Sequence, residues 1–149
     1  MSYDQGYWHQ EGCAERNIDE KYAGTHIAVY LKWCMEKGFL ASTLEASDTQ
    51  LLTAVRSGSL PVSQYFEENL DWKFGDWCLN ERGNAFTTSY YDSYLSEVSV
   101  RVPSAVLGPE EGVDFQQLFQ LLDERLTQFQ ELGPKNVPWK KKNPRWKFW

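Results

Sequence analysis

"YAGTHIAVYLKWCMEKG", residues 22–38, decides the fold of this chain, because its apolar spacing is the clearest in the sequence. Ala23, Ile27, Tyr30, Leu31 and Cys34 recur at three- and four-residue intervals, the rhythm of an α-helix. Asn17 with Glu20 three positions later offers a capping box, and Gly38 after Lys37 offers a stop, so a helix is predicted over 17–38. Only Thr25, Lys32 and Glu36 form a polar stripe. A helix so nearly apolar around its circumference needs neighbours on most sides and belongs at the centre. His26 lies at the edge of the apolar face, one turn from Tyr22 and from Tyr30. A histidine there is ordinarily a neutral packed ring with its nitrogens hydrogen-bonded.

Working outward, Ser47 with Gln50 caps a shorter helix carrying Leu51, Leu52 and Val55 and ending at Gly58. Pro61 suits the first turn of a third helix bearing Val62, Tyr65, Phe66 and Leu70. An aromatic connector, "DWKFGDWCLNERG", leads to a fourth helix from about Asn84 to Glu97, with Phe86, Tyr90, Tyr91, Tyr94 and Leu95 on one side. "VSVRVP" alternates and reads as a short strand closed by Pro103. The final helix carries Phe115, Leu118, Phe119, Leu122, Leu126 and Phe129, with Gly133 and Pro134 beyond its end. The predicted architecture is mainly α: a single compact domain over 1–132 with about five helices and one short strand pair. A basic, tryptophan-rich tail, 133–149, then docks on it as an extended strap. Pro134, Pro138 and Pro144 forbid a continuous helix there, and Trp139, Trp146 and Trp149 are too costly to leave together in water.

The net charge of −6 hides an asymmetry. All 21 acidic residues lie between Asp4 and Glu131, whereas the last 17 residues carry six of the 15 basic residues and no acid. The body is therefore at −12 and the tail at +6. Such a body repels nucleic acid and anionic lipid and attracts a basic partner, so no nucleic-acid or membrane partner is expected. Glu67, Glu68 and Asp71 fall within one helical turn, followed by Asp76 and Glu81. Like charges this close gain nothing for an isolated fold, which marks them as a partner-binding surface, with Trp72 and Trp77 as anchors if exposed.

Cys13, Cys34 and Cys78 form no C-x-x-C pair and read as reduced thiols, and the chain has neither a signal-peptide pattern nor a long apolar run; the expected address is cytoplasmic. No Gly-rich phosphate loop, G-x-S-x-G or H-E-x-x-H motif is present. The spacing of the two histidines and three cysteines matches no zinc motif, so neither a metal nor a cofactor is expected.

"YDQGYWHQEG", "THIAVYLKWCMEKGFL" and "LNERGNAFTTSYYDSYL" together are similar to a bacterial domain family of unknown function. The matching positions include Tyr3, Asp4, Trp8, His9, Gly12, Thr25, His26, Trp33, Gly38, Asn84, Phe86, Tyr91 and Tyr94. The tail is a departure from that pattern. The resemblance implies a non-enzymatic immunity-type protein that binds and neutralises a cognate bacterial toxin with a basic cleft. It also gives the first two blocks a common reason: His26 is predicted to be buried and hydrogen-bonded to the segment from Asp4 to His9. The competing reading is a small-ligand protein or enzyme, with Asp4, Trp8, His9, His26 and Asn84 around a pocket lined by Trp33 and Tyr91. Geometry separates the two. An open pocket at the histidines favours chemistry, and an enclosed pair favours structure.

Overall fold

Helix α2, Thr25–Glu36, runs through the middle of the molecule, and ten of its twelve residues are buried. The computed structural model describes residues 1–139. Around α2 stand the short helices α1 (Gln10–Glu15) and α3 (Ser42–Ser47), then α4 (Thr49–Ser57), α5 (Val62–Asn69), α6 (Glu81–Arg101) and α7 (Phe115–Leu132). α4, α5 and α7 pack directly on α2, and α7 also packs on α6. Between α2 and α6 lies a layer of rings. Tyr30 meets Tyr91 at 5.0 Å and Tyr94 at 4.9 Å between centroids, and Trp33 meets Phe86 at 5.5 Å. Aromatic pairs at these separations add directional attraction to the area they bury.

Two strands complete the fold. β1 (Ser2–Gln5) pairs antiparallel with β2 (Lys73–Gly75), with Asp4 opposite Phe74 and an irregularity between Ser2 and Asp4. The strand pair is therefore not at "VSVRVP". That stretch continues α6 to Arg101 and then turns through a 3₁₀ segment, Pro103–Ala105. Val98 and Val102 continue the buried row of Tyr94 and Leu95 at helical spacing, which outweighs four residues of alternation.

The start of α2 also differs from the prediction. Asn17 has φ +56°, Glu20–Tyr22 forms a separate 3₁₀ turn capped by Asp19, and the helix begins only at Thr25. A Cβ on Gly24 would sit 3.2 Å from the Phe66 ring and 3.3 Å from the Trp72 indole nitrogen, so a close approach fixes the boundary there. The Ser47–Gln50 cap is replaced by Asp48, which joins α3 to α4 and accepts the Tyr65 hydroxyl at 2.6 Å. α6 begins earlier than Asn84, with Asn80 Oδ1 accepting from the Gly83 amide at 2.9 Å. The stops hold: Gly38, Gly58 and Gly133 all adopt positive φ.

The start of the tail is docked. Trp139 is 8% exposed, meets Tyr90 at 5.1 Å, and donates its indole N–H to the Ser89 carbonyl at 3.0 Å. Trp146 and Trp149 lie outside the described residues.

Candidate functional site

The polar centre of the protein is assembled from four elements. β1 supplies Asp4, the 3₁₀ turn after it supplies His9, α2 supplies His26, and α6 supplies Tyr91. His9 Nε2 lies 2.6 Å from Asp4 Oδ1, and His26 Nε2 lies 3.2 Å from Asp4 Oδ2. The Tyr91 hydroxyl donates to Oδ2 at 2.8 Å, and the Gln5 amide donates to Oδ1 at 2.8 Å. The imidazoles meet edge to face with centroids 4.5 Å apart. Behind them the Tyr94 hydroxyl donates to the His26 carbonyl at 2.7 Å, which ties α6 to the first turn of α2.

Burial sets the electrostatics. Asp4 is 5% exposed, His9 6% and His26 0%. Burial alone would raise the Asp4 pKa, but hydrogen bonds from His26 and His9 outweigh it and hold the carboxyl well below the usual range. Burial pushes the His26 imidazole below its ordinary value, against the hydrogen bond it makes to Asp4. Burial and the adjacent Asp4 carboxylate push the Tyr91 phenol well up. The arrangement consistent with these directions is an ionised carboxylate receiving the Nε2–H of a neutral His26. Both Nδ1 atoms are buried without a partner.

The predicted link between His26 and the N-terminal segment is thus present, and it runs through Asp4. The larger pocket is not assembled. Trp33 is fully buried, and its indole N–H reaches Asp123 at 2.9 Å. Asn84 accepts the Tyr3 hydroxyl at 2.6 Å and donates to the Asp76 and Leu79 carbonyls. Trp8 points outward. Two clefts of about 210 and 260 Å³ open elsewhere, one beside Lys21, Tyr22 and Glu67 and the other beside Lys32, Gly58 and Phe115.

The predicted partner surface divides differently. Glu67, Glu68, Asp71, Asp76 and Glu81 are all exposed. Trp77 is 48% exposed and covers Gly75, where a Cβ would meet its ring at 2.0 Å. Trp72 is the correction: at 9% exposure it is a core residue and no anchor. Asp71 and Trp72 take φ of +53° and +58°, a rare pair for non-glycine residues, which costs roughly 1–3 kcal/mol each. The N-terminal segment covers the Trp72 ring: the Gly6 amide bonds the Trp72 carbonyl at 2.8 Å, and a Cβ on Gly6 would lie 2.8 Å from the indole. Tyr7 and Trp8, which the sequence did not place on that surface, are also exposed. Tyr7 stacks its edge on Trp72 at 5.3 Å and donates to Asp71 at 2.9 Å.

A family model described as "Domain of unknown function (DUF7832)" matches residues 2–105. The chain belongs to this family. The DUF7832 span takes in Asp4, His9, His26, Tyr91 and the acidic connector, and it ends before α7 and Trp139. No curated protein and no solved structure matches the chain. No helix among the described residues is long and apolar enough to cross a membrane.

Proposed function

We propose that this DUF7832 member is a non-enzymatic, immunity-type protein of the bacterial cytoplasm, which captures a basic toxin domain and blocks it. The observation that carries the reading is the contrast between an enclosed polar cluster and the surface beside it. Tyr7, Trp8 and Trp77 are each a little under half exposed, near the two ends of the β1–β2 ribbon, and Glu67, Glu68, Asp71, Asp76 and Glu81 are exposed as well. Half-exposed aromatics supply buried area on association at a low entropy cost, and the acids steer a basic partner towards them. A body at −12 opposes nucleic acid and anionic lipid as partners.

Some of these acids have local partners, and that limits what each can contribute. Lys73 Nζ lies 3.2 Å from Asp71, and Gln64 donates to Glu68 at 3.3 Å. Asp76 likewise lies 3.0 Å from the Met1 amine, so Glu67 and Glu81 complete the charge on which the reading depends. The test is co-expression with the proteins encoded by neighbouring genes, taking any one that arrests growth on its own as the candidate toxin. Growth restored by the chain, with a stable complex on gel filtration, supports the reading. Growth arrest that the chain leaves unchanged, despite abundant folded protein, removes it.

A further inference from the structure

The geometry points to a structural binding site for a zinc-class divalent cation at Asp4, His9 and His26. One donor atom from each of the three residues lies within 4.8 Å of the others. Both Nε2 atoms are aimed at one carboxylate, at 2.6 and 3.2 Å, and the Tyr91 hydroxyl is a fourth polar group, 2.8 Å from Oδ2. Ligands 2.0–2.2 Å from a tetrahedral ion stand roughly 3.3 Å apart, so a cation fits once the shortest of these contacts opens by several tenths of an ångström.

The donor chemistry agrees. Two imidazoles and a carboxylate suit zinc and its first-row neighbours better than magnesium or calcium, which prefer all-oxygen shells. The ionised Asp4 carboxylate is a buried negative charge, which a dication opposes and a hydrogen-bonded triad leaves in place. Both rings turn Nε2 towards the Asp4 carboxylate, so the two nitrogens and the carboxylate form one buried donor set. The enclosure of all three residues assigns the ion a structural role, pinning β1 and the 3₁₀ turn to α2, with no coordination position open to a substrate.

The sequence reading missed this because it counted histidines with cysteines and sought short zinc spacings. The cysteines are buried elsewhere, and the third ligand is a carboxylate on a strand.

The chain has only two histidines, and both belong to the cluster. X-ray absorption of the wild-type protein therefore locates the site without a variant. The protein is stripped with chelator, then titrated with Zn²⁺ or Co²⁺ at pH 7.5. The expected result is about one ion per chain with two imidazole ligands, a higher melting temperature, and a visible Co²⁺ band of the kind four-coordinate sites give. His26→Gln and His9→Gln, where folded, lose at least tenfold in affinity. Folded wild-type protein that binds neither ion, or binds one with no imidazole in its shell, overturns the proposal. So does a melting temperature that is the same with zinc and with chelator.

Discussion

Asp4 and Asp76 sit on the same two-stranded ribbon system and lead opposite lives. Asp4 on β1 is closed off and receives hydrogen bonds from two imidazoles, a phenol and a backbone amide. Asp76, just beyond β2, is exposed, with the Met1 amine 3.0 Å away and Trp77 beside it open to solvent. The difference is one of strand face and depth. It separates charge enclosed by the fold from charge exposed at its surface. Buried, a carboxylate is tolerated only with its donors in place; exposed, it gains little from any single pair and acts mainly at long range.

The sharpest way to break the comparison is to remove the inner charge. Asp4→Ala strands the Nε2–H groups of two buried rings and the Tyr91 hydroxyl. It is expected to cost about 3–5 kcal/mol, lowering the melting temperature on the order of 10 °C. A loss under about 1 kcal/mol in chemical denaturation would show that the cluster does not hold the fold. Trp139→Ala is next. Its ring packs against Phe86 and Tyr90 under Arg125, and truncation should cost about 2–4 kcal/mol. A wild-type denaturation midpoint would show that the tail's first tryptophan is docked without stabilising the body.

Acid sharpens the same contrast. In the metal-free chain, with chelator present, the folded pKa of His26 lies below its ordinary value of ~6.5. The unfolded chain then binds protons first, so stability is fully present above about pH 6.5 and declines as pH falls towards the folded pKa. Asp4, also depressed, adds a further loss only below about pH 4. Melting curves from pH 8 to 5 should therefore shift downward, and His26→Gln should flatten that shift. A melting temperature that rises on acidification would mean that His26 is stabilised as a cation, contrary to its burial.

Legibility followed the same divide between inside and outside. The helices were readable where many apolar residues repeat, as in α2 and α7, and where glycine supplies a left-handed stop at Gly38, Gly58 and Gly133. The strand pair was not. "SYDQ" and "KFG" are too short to display alternation, and their pairing joins segments some seventy residues apart. The beginning of α2 was misplaced because it is set by Phe66 and Trp72 crowding Gly24, a contact no local pattern contains. In the site, the union of Asp4, His9 and His26 was within reach once two sequence blocks needed one explanation. The inward turn of Trp72 was not, because it depends on two consecutive left-handed residues.

The smallest stability effect belongs to the outer surface, and it tests the central claim most directly. Trp77→Ala combined with Glu67→Lys and Asp76→Lys should cost about 1–2 kcal/mol, most of it from the half of the Trp77 ring that covers Gly75. Calorimetric titration of this triple variant against a growth-arresting protein encoded by a neighbouring gene is the measurement that matters. The expected result is a melting temperature lowered by only a few degrees, with affinity weakened on the order of 100-fold and a salt dependence flatter than that of the native chain. A triple variant that binds as tightly as the native chain would contradict the assignment of function to this surface.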